Sequence, residues 1–228
     1  YLHKEHDPST SSGLKQLYEV ALKKLKEYKL ERLFYDVEMP LLAVLADMEL
    51  FGIKLNAKNL KSLDKDLDGH LQKLTKAIYK ESGKTFNINS PKQLGQILFN
   101  KLKINIEGVK KTRGGAISTD IGTLMTIQSR HSIVKYLLEY RELFKLQSTY
   151  VRPLQDLADK DGRVHTTYIQ TGTSTGRLSS QNPNLQNIPT GSDWATELRK
   201  CFVAEKNFQL VSFDYSQIEL RVLASLSG

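Results

Sequence analysis

The sequence predicts an α+β fold that is mostly α, with helices first and the start of a sheet-containing layer after them. Two observations carry this. Apolar residues recur at helical spacing in one stretch after another from Leu14 to Val151. After Asp161-Gly162, a turn signal, the period changes to alternation, and only two short strand candidates follow.

Each element has its own signal. Pro8–Gly13 is a short polar breaker, so the first residues read as a loose tail. Leu14, Leu17, Ala21, Leu22 and Leu25 predict a first helix, and Leu41, Leu42, Leu45 and Met48 a second that ends at Phe51-Gly52. Asn56 is placed to cap a long helix with one apolar stripe, Leu60, Leu63, Leu67, Leu71, Leu74 and Ile78, and with lysines and aspartates opposite. Gly83 closes it. Ser90-Pro91 opens the next helix, with Ser as cap and Pro in the first turn. Lys101–Gly115 is basic and glycine-rich and reads as a flexible loop. Ser118-Thr119 is expected to cap a short helix, and a longer one spans about 132–151. Arg163–Gln170 alternates like a strand. Residues 178–189 are rich in Ser, Asn and Pro and read as irregular. Phe208–Phe213 is a buried-strand candidate, followed by a helix carrying Ile218, Leu220, Val222, Leu223 and Leu226. So small a sheet leaves apolar surface uncovered, which predicts a piece of something larger.

Composition narrows the function classes. With 39% hydrophobic and 25% charged residues in 228, the chain is not wholly disordered. No apolar run approaches the ~18 residues of a membrane span. Tyr1–Asp7 lacks the pattern of a secretory signal. The single cysteine, Cys201, excludes an intrachain disulfide and fits a reducing compartment. The five histidines are scattered, so a structural zinc site is not expected. A net charge of +8 leans towards a polyanionic partner.

Three segments are candidates for chemistry. Asp214-Tyr215-Ser216-Gln217-Ile218-Glu219-Leu220-Arg221 puts a carboxylate between a strand candidate and a helix. It is either a ligand for a hard cation such as Mg²⁺ or the N-cap of that helix. Thr171–Ser180 surrounds Arg177 with hydroxyls and glycines, suiting either phosphate contacts or a polar turn. Asn182–Pro189 offers amides to base edges and sugars, or to turns.

Together, TGRLSSQNPNLQNIP and FDYSQIELR resemble the palm of family A DNA polymerases, those similar to bacterial DNA polymerase I. The resemblance extends backward through RVHTTYIQTGTSTGR, LLEYRELFKLQSTYVRPL, KKTRGGAIST, FNINSPKQLGQILF and VEMPLLAVLADMELFGIKLN, and covers about Asp36 to Gly228. It implies a helical thumb followed by an incomplete palm with a small antiparallel sheet. Residues 1–35 would be the remnant of a 3′–5′ exonuclease-like domain, 36–160 the lead-in helices and thumb, and 161–228 the first part of the palm. The implied activity is DNA-directed DNA synthesis with two Mg²⁺ ions, a primer-template duplex and deoxynucleoside triphosphates. The implied setting is the cytoplasm, at the nucleoid of a bacterium, or a phage.

The resemblance also assigns roles. Asp214 matches the first of two metal-binding aspartates, and the Tyr215 carbonyl helps to hold a metal. Ser216, Gln217 and Ile218 form the floor under the incoming nucleotide, and Glu219 matches the steric gate against ribonucleotides. Arg177 matches the arginine that reaches the minor groove at the primer end. Asn184, Gln186 and Asn187 match residues on the nascent duplex, and Thr173 and Thr175 phosphate contacts. Arg141, Lys145, Ser148 and Thr149 match duplex-binding positions at the thumb base, while Lys110, Lys111 and Arg113 lie in the thumb-tip loop. There are departures. Thr190-Gly191 stands where the family usually has an arginine, and Gln147 where it often has a lysine. No acidic residue occupies Thr10–Ser12, where exonuclease ligands would fall. The fingers and the second palm aspartate lie beyond the sequence, so these residues alone are expected to be inactive. They would act as a duplex-binding module or one half of a split polymerase.

Overall fold

The computed structural model describes residues 11–228 apart from 110, 113 and 116. Lys110, Arg113 and the first half of the Pro8–Gly13 breaker therefore lie outside the described residues, while its second half, Ser11–Gly13, is helical. The fold is mostly helical with two small antiparallel strand pairs, and the chain forms two compact units. Among the described residues no helix is long and apolar enough to cross a membrane.

One unit combines the residues up to Gly52 with His165–Asn187. It holds helix α1 (Ser11–Glu27), then α2 (Glu31–Leu33), which runs through a π-helical turn (Phe34–Glu38) into α3 (Met39–Phe51). Gly52 ends α3 at φ 60°, where a side chain would be strained. The other part of this unit is a hairpin, in which β3 (Thr167–Ile169) pairs with β4 (Ser179–Gln181) in the register Tyr168↔Ser180. Two glutamates about three turns apart, on one side of the helix, tie the hairpin to it. Glu49 accepts from the Tyr168 backbone N–H through Oε1 and from the His165 ring through its carbonyl (2.7 Å). Gln170 Nε2 donates to the Glu38 carbonyl (3.0 Å) and to Oε2 (2.6 Å). Burial, with the Glu49 charge, raises the Tyr168 phenol above its usual range.

The other unit contains residues 53–164 and 188–228. Its centre is α4 (Ala57–Ser82), capped by the Asn56 side chain on the Asn59 N–H and closed by left-handed Gly83. The expected stripe, Leu60 through Ile78, is buried and packs on α7 (Ser132–Lys145), which contributes Ile133, Val134, Leu137, Tyr140 and Leu143. Each such leucine stabilises by about 1.5–3 kcal/mol relative to an exposed one. Shorter helices complete the unit. They are α5 (Pro91–Gly95) with a π-helical extension (Gln96–Lys101), α6 (Ile121–Ile127), α8 (Arg152–Leu157), α9 (Asp193–Arg199) and α10 (Ile218–Ser227). Between α7 and α8 runs a π-helical stretch (Leu146–Val151), in which buried Gln147 donates to the carboxylates of Asp64 (2.8 Å) and Asp68 (2.7 Å). Arg152 pairs with the same two carboxylates at 3.2 and 2.9 Å.

Several expectations change. Phe208–Phe213 is not a strand but an exposed segment, with Phe213 92% exposed. A strand persists only when a partner takes up its backbone groups, and none of the four strands among the described residues pairs with it. The alternating stretch 163–170 splits, because β2 (Arg163–Val164) pairs with β1 (Ile53–Lys54) and only β3 with β4. Asp120, and not Ser118 or Thr119, caps α6, since its carboxylate reaches the Thr123 N–H at 2.7 Å. The helix expected over 132–151 continues into α8, with Pro153 in the first turn of α8 where no N–H is needed.

The β1–β2 register sets Lys54 opposite Arg163, a repulsive pair that Glu205 resolves by accepting from both, at 3.2 and 3.0 Å. These bonds hold the Glu205 carboxyl below its ordinary range. A carboxyl lowered in the folded state stabilises above its unfolded value, and that contribution disappears as pH falls through the lowered one. Thermal melts should therefore show wild type more stable than Glu205→Gln at neutral pH. The gap should close on acidification below the usual glutamate range, whereas a pH-independent gap would show that the carboxylate charge plays no part.

Candidate functional site

In the first unit the hairpin connection carries Thr173, Thr175 and Arg177, all exposed. Thr175 Oγ1 donates to Thr173 Oγ1 (3.3 Å), and Thr173 Oγ1 donates to the Arg177 carbonyl (2.7 Å). The turn is thus closed by its own hydroxyls. Gly172 is closely packed in it, and a Cβ there would displace the Ser179 hydroxyl and crowd Ile169. Beyond β4, the loop 184–187 is wound around two side chains. Buried Ser180 Oγ donates to Asn184 Oδ1 (3.3 Å) and accepts from the N–H groups of Leu185 (3.1 Å) and Gln186 (3.3 Å). Asn184 Oδ1 also accepts from the N–H groups of Gln186 (3.1 Å) and Asn187 (3.2 Å). The exposed Gln186 and Asn187 side chains ride on this frame.

In the second unit Lys145, Ser148 and Thr149 are exposed along the end of α7 and the following π-helical stretch. Arg141 precedes them by one turn but is half-buried, and its guanidinium donates to the Thr119 carbonyl. Burial lowers its pKa and Asp120 opposes that shift, so it remains a cation that also anchors the loop before α6. Ser148 Oγ bonds back to the Phe144 carbonyl at 2.6 Å. Lys111 is exposed beside a single antiparallel bridge to Ile117.

Asp214 to Glu219 lie on the turn that starts α10. Gln217, at φ 54°, is the N-cap residue and makes no side-chain cap, while Arg221 Nε donates to the Ser216 carbonyl at 2.9 Å. Asp214 therefore does not cap the helix, which removes that alternative. Its exposed carboxylate makes no hydrogen bond or ion pair among the described residues. Glu219 stands in the first turn of α10. A carboxylate and the adjacent Tyr215 carbonyl are the hard oxygen donors Mg²⁺ takes. Among the described residues, however, no three His, Cys, Asp or Glu side chains are grouped to hold a metal. The set does not fit two ions by itself.

The family model described as DNA polymerase family A matches residues 57–228. The chain belongs to DNA polymerase family A. It is 46% identical over 224 residues to "DNA polymerase I" of Streptococcus pneumoniae serotype 4, covering 98% of this chain and 25% of that protein. It is 44% identical over 215 residues to "DNA polymerase I, thermostable" of Thermus thermophilus, covering 93% and 26%. Among solved structures it is similar to the POL domain of Pol1 from M. smegmatis in complex with DNA primer-template and dNTP. That match has a TM-score of 0.82 and 35% identity, over 90% of this chain and 36% of that one. This family A chain thus spans about a quarter of the length of the curated relatives it matches.

Within the family A chain, sequence reasoning missed Ser180, Thr166 and the structural use of Gln147. Thr166 Oγ1 lies within hydrogen-bond distance of the Gln181 (3.1 Å) and Pro183 (2.7 Å) carbonyls, so both hydroxyls shape the loop from beneath. Their residue types carry no signal, since serine and threonine are ordinary in strands and turns. Gln147 was visible only as a departure from lysine. Ser180→Ala should cost about 1–3 kcal/mol, because the Leu185 N–H loses its acceptor while the Gln186 N–H keeps Asn184 Oδ1. Hydrogen exchange should then quicken at Leu185 in particular; unchanged protection there would contradict this role.

Proposed function

We propose that the protein to which these residues belong carries out template-directed DNA synthesis, in which a primer 3′-hydroxyl attacks the α-phosphate of a deoxynucleoside triphosphate and pyrophosphate leaves. The observation that carries the reading is Asp214, a carboxylate committed to no partner among the described residues, at the head of α10 within the family's motif. The neighbouring structure's primer-template and dNTP support the same partners.

In this reading residues 1–35, 36–160 and 161–228 are an exonuclease-like remnant, the lead-in helices with thumb, and the first part of the palm. Arg177 meets minor-groove acceptors, which every base pair presents, so it senses pair geometry and not sequence. Thr173 and Thr175 brace the Arg177 turn beside the phosphates, and Gln186 and Asn187 bind the nascent duplex from the frame set by Ser180 and Asn184. Arg141, Lys145, Ser148 and Thr149 take the duplex at the thumb base, with Lys110, Lys111 and Arg113 at the tip. Ser216, Gln217 and Ile218 form the floor under the nucleotide. Glu219 excludes a 2′-hydroxyl by its size. Asp214 and the Tyr215 carbonyl would hold part of a two-Mg²⁺ set whose second carboxylate, with the fingers, comes from outside these 228 residues, and which would supply charge neutralisation at the reacting phosphate. The setting is the bacterial cytoplasm at the nucleoid, or a phage-infected cell. By themselves the 228 residues serve as a DNA-binding module or one half of a split enzyme, a reading supported by the lack, among the described residues, of any three His, Cys, Asp or Glu side chains grouped to hold a metal.

In the whole protein, single-nucleotide extension by Glu219→Ala should show ribonucleotide use rising much more than deoxynucleotide use falls. Unchanged sugar discrimination would place the gate elsewhere. The 228 residues alone should not extend a primer, with Asp214→Ala as the control for contaminating polymerase. Extension that depends on Asp214 would overturn the split reading.

A further inference from the structure

The long helix α4 has a second face that none of the assigned roles uses. At about 100° per residue, Lys58, Lys61, Lys65, Lys73, Lys76 and Lys80 fall within an arc of about 120°. That arc is opposite the buried stripe that packs on α7. All six lysines are exposed. None of their side chains makes a hydrogen bond or an ion pair among the described residues: Asp64 and Asp68, on one flank of the arc, are taken by Gln147 and Arg152, and exposed Asp66, about 20° beyond the other edge, bonds to none of the six. The cations are therefore not neutralised by the helix that carries them.

We propose that this face is a second DNA track, binding the phosphate backbone of a duplex along α4, on the side of that helix away from α7. The inference rests on the polymerase reading only for the presence of DNA. The charge is complementary, and the dimensions agree. Lys58 to Lys80 span about 33 Å of a straight helix, close to the ~34 Å of one duplex turn. Over that length a duplex carries about 20 phosphates. A rigid row of charges suits a rigid polyanion, because neither partner must be ordered to bring the charges together. A flexible single strand would have to be ordered along the row, at an entropic cost. Gly69 sits in the same arc between Lys65 and Lys73, and the space a Cβ would take there is open to 4 Å, so no side chain interrupts the track at that point.

The test measures equilibrium binding of a 20-base-pair duplex, and of a single strand of the same length, by the full 228-residue chain across a salt series. The variant is Lys65→Gln/Lys73→Gln/Lys76→Gln, with the corresponding triple Arg substitution as rescue. A charge-matched control neutralises exposed Lys15, Lys23 and Lys26 of α1. Three lost phosphate contacts should make the log–log salt slope for duplex shallower by about 2.7. The Arg triple should restore it, and the α1 control should change it by less than 1. Equal changes in the two triples, or none in the α4 triple, would overturn the proposal. So would a loss confined to the single strand, which would make the partner an unpaired strand. Absence of duplex binding by wild type would overturn the proposal too, together with the reading of these residues as a DNA-binding module.

Discussion

Burial of one continuous stripe on α4 against α7 is the constraint on which the second unit depends. A 26-residue helix with seven inward positions has no freedom to rotate about its axis once Leu60, Leu67 and Ile78 are fully inside. Fixing that rotation fixes everything carried on its other sides. Asp64 and Asp68 are brought to the flank where Gln147 and Arg152 meet them, and six lysines are left facing water. The same packing fixes α7, and with it Lys145, Ser148 and Thr149, which face outward. A hydrophobic contact, not a polar one, thus decides where the polar groups are presented.

The hairpin unit works on a smaller scale, with hydroxyls in place of leucines. Thr173, Thr166 and Ser180 hold backbone groups of the loops that carry Arg177, Gln186 and Asn187, and Thr175 braces the Thr173 hydroxyl. Asn184 belongs with them, since its side-chain oxygen is occupied by Ser180 and by two N–H groups of the loop. Short loops hold a defined shape in this way without a core beneath each residue, at a net gain of about 0.5–1.5 kcal/mol per hydrogen bond.

What was legible in the sequence is what neighbouring residues decide among themselves. The Asn56 and Ser90 caps, the closing Gly52 and Gly83, and the α4 stripe all rest on groups within a few residues of each other. The motif around Asp214 was legible as well, though sequence alone left open whether Asp214 capped α10; the left-handed Gln217 cap closed that question. What depends on distant partners was not legible. Phe208–Phe213 has the composition of a strand and no partner strand, and the 163–170 alternation gave no sign that its two ends belong to different strand pairs. Arg141 was read only as a duplex-binding position, because nothing nearby in sequence indicated the Thr119 carbonyl that its guanidinium reaches.

The central claim is that Asp214 is held out, uncommitted, to bind metal for phosphoryl transfer. Primer extension by the whole protein carrying Asp214→Asn, with primer-template affinity measured alongside, tests it most directly. Losing a metal ligand worth several kcal/mol of transition-state stabilisation should cut the rate by about 1,000-fold or more and leave DNA affinity within a few-fold of wild type. Extension at near wild-type rate by Asp214→Asn would contradict the account.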